Sequence, residues 1–253
     1  MDKTLLKGLA LLELLARSDR PRGVSELARA AGLARSNIHR TLQTLAAAGF
    51  VRQDAAGRYL CTLKLFELGR AVHDRIDVVR AAEPTIGRLA GVTQETVHLS
   101  VLDGTDVVYV HKVDSPQPVR AYSHVGGRAP AHCVATGKAL LAWRDPSGVD
   151  QLPQALVAYT PQTITAPEAL AEELAQVRRQ GFAVNRGEWR ASVCGVAAPI
   201  RDATGAVVAA IGISGPAERL PAAGLDAFAP NVVAAAEEIS RCLGFSAAAP
   251  LAV

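Results

Sequence analysis

The sequence predicts an α+β protein in two parts: an N-terminal winged helix-turn-helix, then a linker helix and a strand-rich C-terminal domain. Three observations carry this. Two short amphipathic helical patterns meet at Gly32 and run into a hairpin pattern; apolar alternation with tight-turn dipeptides takes over from Glu95; and charge is divided unevenly along the chain. Within a net charge of +3 over 253 residues, positions 1–60 hold 10 Lys+Arg against 5 Asp+Glu, and the remainder holds 17 against 19. A basic surplus confined to one end is the footprint of a nucleic-acid module joined to a domain with another task.

Lys3 to Ser18 reads as the first helix, with Leu5, Leu9 and Leu12 on the expected buried side and Leu6 and Leu15 beside them. Asp19 to Gly23 breaks the pattern. In the next helix Ser25 is the expected N-cap and Leu27, Ala30 and Ala31 the apolar stripe; Gly32 supplies a left-handed stop and Leu33 tucks into the angle that follows. The second helix of the pair starts near Arg35 or Ser36, with Ser36 as its cap, and ends at Gly49. Ile38, Leu42 and Leu45 form its buried stripe, which leaves Arg35, Asn37, His39, Arg40, Gln43 and Thr44 outside. Such a face, rich in donors and acceptors, suits the major groove. Residues 50–53 and 58–62 read as strands joined across Asp54-Ala55-Ala56-Gly57, a wing that would bring Arg52, Gln53 and Arg58 to the phosphate backbone. The expected DNA-contact set is therefore Ser25, Arg35, Ser36, Asn37, His39, Arg40, Gln43, Thr44, Arg52 and Arg58.

Leu63, Phe66 and Arg70 then fit a linker helix with an exposed apolar side, of the kind that pairs with its own copy in a dimer; Leu65, Phe66 and Leu68 could equally pack on their own domain. Pro84 is expected to start or kink a segment. Residues 96–102 and 106–113 form a hairpin about Asp103-Gly104, and 118–123 offers a third strand. Gly126 to Pro130 reads as a glycine-rich loop before a helix over 132–143, where free backbone N–H groups would favour an anion. Thr165 to Glu168 has capping-box spacing for a helix reaching Gly181. Strands over 182–188, 192–200 and 206–214 follow, the last the most apolar and so central, and a helix over 225–243 closes the chain. The boundaries are a DNA-binding domain at 1–62, a linker helix at 63–77 and an effector domain at 78–253.

Composition narrows the rest. Apolar residues make up 49% of the chain, enough for packed cores. Cys61, Cys133, Cys194 and Cys242 are too few and scattered for a disulfide framework, so reduced thiols are expected. No stretch approaches a membrane span, which suggests a cytoplasmic protein, and the Ala-rich 246–253 is expected to fray. Gly212-Ile213-Ser214-Gly215 lacks the spacing of a nucleophile elbow, and His132, Cys133 and Cys194 make only a weak metal set. No catalytic residue, metal or cofactor is expected.

The segments Gly8 to Leu15, Val24 to Val51, Gly127 to Ala142, and Val193 to Ile200 followed by Gly212 to Pro216 together resemble the IclR family of bacterial transcription regulators over nearly the whole chain. The resemblance implies a GAF-like α/β effector domain that binds a small molecule, and a homodimer or dimer of dimers. Two copies would present recognition helices to two half-sites, so the operator is expected to be an imperfect palindrome; the sign of regulation is not in the sequence, and a repressor of a catabolic operon is the expectation. Carried onto this sequence, the effector contacts are Gly126, Gly127, Arg128, Ala129 and His132 from the loop before the Gly-Lys-Ala helix. Asn185, Glu188, Cys194 and Gly195 follow, then Gly212 and Ser214; Trp189 and Tyr122 are available to stack on an aromatic ring. Asn185 stands where the family often has Asp, and Gly212 where Ser can donate. Those departures point to a ligand larger or more apolar than glyoxylate or pyruvate, an organic acid or an aromatic metabolite. An enzyme carrying a winged helix is the alternative, and a winged helix used for protein contacts is a third.

Overall fold

The computed structural model describes residues 3–73, 77–144 and 156–246. The chain divides into two compact units, Met1–Arg75 and Ile76–Val253. The last linker positions, 74–76, and most of the Ala-rich tail, 247–253, lie outside the described residues.

The first unit contains α1 (Lys3–Ala16), α2 (Val24–Ala31), α3 (Arg35–Ala47), β1 (Val51–Gln53), β2 (Tyr59–Cys61) and α4 (Lys64–His73). Its core is Leu11, Leu15, Leu27, Ala28, Ile38, Leu42, Val51 and Tyr59. The expected buried face of α1 is corrected: Leu5, Leu6 and Leu9 are 61%, 48% and 49% exposed, whereas Leu11 and Leu15 are buried. Leucines surround this helix, so periodicity alone does not choose a face; packing against the neighbouring elements does. Likewise Ala28, not Ala30 or Ala31, is buried on α2.

Both expected caps of the helix pair move. Gly23 is the N-cap of α2, with the Glu26 carboxylate accepting from the Gly23 N–H at 3.1 Å, so the cap is made from the N3 side chain rather than by Ser25. Ala34, extended and without a side-chain cap bond, precedes α3, and Ser36 lies inside the first turn. Gly32 at φ 63° closes α2 as expected, its N–H reaching Ala28 O and Arg29 O. In the wing Val51 pairs with Cys61 and Gln53 with Tyr59, and Gly57 at φ 74° makes the turn.

The second unit is a six-stranded antiparallel sheet with helices on both faces. In chain order it contains α5 (Asp77–Thr93), β3 (Thr96–Asp103), β4 (Asp106–Val113), β5 (Arg128–Pro130), a 3-10 turn (Ala131–Cys133), α6 (Ala135–Leu141), α7 (Pro167–Gln180), β6 (Ala183–Arg186), β7 (Val193–Arg201), β8 (Val207–Pro216), a second 3-10 turn (Ala222–Phe228) and α8 (Ala229–Cys242). Strand order is β5-β4-β3-β8-β7-β6, with β8 central as its apolar content predicts. Residues 118–123 form no strand; β5 takes the edge instead. Helix α5 runs through Pro84 without ending, held by buried Val78, Val79 and Ala82 before it and Ile86, Leu89 and Ala90 after it. Thr165 does not cap α7; Ala166 takes that position, with Pro167 in the first turn.

One face of the sheet carries α5 and α8 over Leu99, Cys194, Val196, Ile211 and Ile213; the other carries α6 and α7 over Val107, Tyr109, Ala183, Ala197 and Ala210. Because side chains alternate along a strand, His98, Ser100, Gly195, Gly212 and Ser214 share the α6 face and Cys194 does not. That parity positions the site.

Candidate functional site

Two surfaces carry the chemistry. On the first unit α3 leaves Arg35, Ser36, His39, Arg40, Gln43 and Thr44 exposed along one side and holds Ile38 and Leu42 in the core. Asn37 is half-buried, its carbonyl accepting from Thr41 Oγ1 at 2.9 Å, and Ser25 is half-buried. Arg52 and Arg58 stand exposed on the wing. Arg58 also stiffens it: its Nε and its backbone N–H each reach the Asp54 carboxylate at 2.9 Å, which holds that carboxyl below the ordinary range.

On the second unit a cavity of about 50 Å³, open to solvent on one side, lies between the α6 face of the sheet and the segments around Tyr122 and Trp189. Its centre is His98. The buried imidazole meets Ser123 Oγ at 2.7 Å through Nε2 and Ser214 Oγ at 3.3 Å through Nδ1, and packs against Tyr109 with ring centroids 4.7 Å apart and planes tilted by 38°. Burial, aided by the Lys112 charge, pushes the imidazole pKa down to about 4, so it is neutral near pH 7. Burial pushes the Tyr109 phenol up to about 12 against the pull of Arg190. Thr136, at the start of α6, adds a hydroxyl that meets Ser100 Oγ at 3.2 Å. At the rim the Arg190 guanidinium lies 4.5 Å from the Trp189 ring and donates to Tyr122 O at 3.4 Å. Among the described residues Arg190 is the one formal charge in a lining otherwise made of aromatic, aliphatic and neutral polar groups.

Behind the wall sits a buried ionic group. Lys138 Nζ, fully buried, lies 2.9 Å from both Glu173 and Glu188. Burial pushes the Glu188 carboxyl above its ordinary range while Lys138 pulls it back, and its second oxygen has no partner among the described residues. Burial also lifts the Cys133 thiol to about 12. Among the described residues no three His, Cys, Asp or Glu side chains form a metal-ligand group, and no helix is long and apolar enough to cross a membrane.

The profile of the IclR helix-turn-helix domain matches residues 4–55, and that of the bacterial transcriptional regulator IclR C-terminal domain matches residues 70–241. The chain belongs to the IclR family. It is 37% identical to the HTH-type transcriptional regulator KdgR of Escherichia coli over 246 residues, 96% of this chain and 93% of that one. It is 33% identical to the transcriptional repressor IclR of the same organism, covering 96% and 90% of the two chains. Among solved structures, Thermotoga maritima IclR aligns at a TM-score of 0.81 with 31% identity over 97% of this chain and all of that one. An IclR homologue from Microbacterium hydrocarbonoxydans complexed with 4-hydroxybenzoate aligns at 0.81 with 27% identity, over 94% and 98%. This IclR-family chain is thus a DNA-binding transcriptional regulator.

Of the expected effector contacts, the fold gathers Tyr122, Asn185, Trp189, Gly195, Gly212 and Ser214 around the cavity. Asn185 arrives already committed: Oδ1 accepts from the Gly187 and Glu188 N–H groups at 3.0 Å and Nδ2 donates to Val193 O. The remaining expected contacts do not line it. Gly126 and Gly127 close a turn against Tyr109 and His124, so their N–H groups are spent and the anion-binding loop is not formed. Ala129 is in the sheet beside Val107, and Arg128 points to the surface, pairing with Asp103 at 2.8 Å and Asp106 at 3.2 Å. His132 donates to Val157 O at 3.2 Å, Glu188 is held by Lys138, and Cys194 faces the opposite core. Missed in the sequence were His98, Tyr109, Thr136 and Arg190. For His98 the signal was present: it alternates with Val97 and Leu99, and only the cross-strand register to Gly212 was needed to place it.

Proposed function

We propose that the chain is a metabolite-responsive repressor of a catabolic operon, in which the α3 face and the wing hold a palindromic operator and the cavity around His98 holds the effector. The proposed division is a DNA-binding domain at 1–62, a linker at 63–77 and an effector domain at 78–253. The observation that carries the effector reading is a semi-enclosed cavity with one cation, Arg190, a neutral imidazole and two aromatic walls. It suits a small monocarboxylate, and an aromatic one above all, with the carboxylate toward Arg190 and the ring between Tyr109 and Trp189. The homologue holding 4-hydroxybenzoate supports that class. Binding rather than turnover is favoured because pKa values of about 4 and about 12 leave neither His98 nor Tyr109 poised for proton transfer near neutral pH. Leu63 and Phe66, 75% and 69% exposed, support a dimer pairing through the linker, which would present two recognition helices to two half-sites. An effector regulates only by favouring one arrangement of that dimer.

The test is retardation of DNA taken from upstream of the chain's own gene and its neighbours, titrated with aromatic and aliphatic acids. A sequence-specific complex that one acid dissolves supports the reading. Specific binding that no acid alters would remove the effector role, and no binding at low salt would remove the operator role.

A further inference from the structure

The second unit contains another concavity, at the opposite end of β7 from the effector cavity. It takes in about 1070 Å³ of non-atom space, part of it open to solvent, between β7, the end of α6 and α8. Val193 and Gly195 of β7 face the effector cavity, whereas Ala198, Pro199 and Arg201 line this groove, together with Trp143, Val233 and Phe245.

Arg201 is the unusual group. Its guanidinium lies near two rings, 4.9 Å from the centroid of Trp143 and 5.9 Å from that of Phe245. Its side chain donates to Gly205 O at 2.9 Å, and no carboxylate among the described residues pairs with it. The adjacent Asp202 is occupied by the Thr204 hydroxyl and the Thr204 and Ala206 N–H groups. Glu237 and Arg241 also line the groove, as an exposed pair 4.0 Å apart, so its charged lining is Arg201 together with one paired carboxylate and cation. Partial burial lowers the Arg201 pKa, the mark of a cation taken out of water without a counter-ion. Aromatic faces offset part of that cost, yet a planar guanidinium retains donors that a carboxylate matches in geometry.

We propose that this groove is a second small-molecule site, specific for amphipathic monocarboxylates, with the carboxylate on Arg201 and the apolar body along Pro199 and Val233 beside the rings of Trp143 and Phe245. It does not depend on the effector reading. The chain has two tryptophans, Trp143 in this groove and Trp189 in the effector cavity, so each site has its own fluorophore.

The experiment uses the full chain with Trp189→Phe, leaving Trp143 as reporter, and titrates sodium hexanoate with uncharged hexanamide as control. The expected result is a saturable change in Trp143 emission with hexanoate only, weakened about tenfold or more by Arg201→Met, in keeping with the loss of a charged hydrogen-bonded pair. Arg201→Lys, which retains the charge and the stem, serves if the Met variant does not fold and is expected to weaken binding as well. No saturable response, an equal response to hexanamide, or unchanged affinity in a folded Arg201 variant would overturn the proposal. The reciprocal Trp143→Phe chain reads the effector cavity alone, so failure at one site is separable from failure at the other.

Discussion

Replacing His98 should remove a pH dependence that the fold imposes on its own stability. The imidazole is buried and its pKa falls from an ordinary 6.5 to about 4. A fall of about 2.5 units, at about 1.4 kcal/mol each, amounts to about 3 kcal/mol of linkage. The unfolded chain takes up this proton more readily than the folded one. The contribution is therefore fully present above pH 6.5 and is lost as pH falls toward 4, with about 2 kcal/mol gone by pH 5. His98→Gln can keep a hydrogen bond to Ser123 or Ser214 without titrating. The assay is urea unfolding of the native sequence and the variant at pH 7.5 and pH 5, since the difference between their pH slopes cancels the contribution of other groups. A slope in the variant as steep as in the native sequence would refute the reasoning, because the proton would then be binding elsewhere.

Four further outcomes follow. Lys138→Met should cost about 3–5 kcal/mol by leaving the buried Glu188 without its cation, Glu173 keeping Arg186 at 3.7 Å, and adding Glu188→Gln should recover part of it; chemical denaturation of single and double variants reads both. Gly137→Ala should destabilise the second unit, since a Cβ there falls inside van der Waals distance of the Ala131 backbone; a thermal midpoint within a degree or two of the native sequence would contradict this. Arg40→Ala should weaken operator binding and reduce the slope of log affinity against log salt by about one, measured by fluorescence anisotropy over a salt series. Leu42→Ala should cost about 2–5 kcal/mol by opening a void at a fully buried position of the helix-turn-helix core, and proteolysis of the first unit will register it.

The three-helix-and-wing order was legible because its signals are local. Gly32 and Gly57 require left-handed backbone, the stripe Ile38-Leu42 spans one turn, and the strands of the wing lie five residues apart across a turn that Asp54 closes. Local signals also misled where two residues could serve equally: Ser25 and Ser36 are good caps by type, yet Gly23 with Glu26, and a bare Ala34, hold those positions. Similarly, Thr165 lost the cap of α7 to Ala166 because Pro167 already fits the first turn.

By itself, then, the sequence determined most of the element types, though not the edge strand, which is β5 rather than residues 118–123; it also determined the central place of β8, the family, and the strand alternation on which the cavity depends. Only the tertiary structure decided which groups meet. Cys194 and Gly195 are neighbours in the chain and lie on opposite faces of the sheet, so one belongs to the core and the other to the cavity. Arg128 could have turned toward a ligand, but two carboxylates 22 and 25 residues away hold it at the surface. His98 becomes the centre of the site through Ser123, 25 residues away, and Ser214, 116 residues away. Helical caps and turns are settled within a few residues of backbone, whereas a cavity is a property of sheet register and side-chain parity, which arise only when distant strands pair.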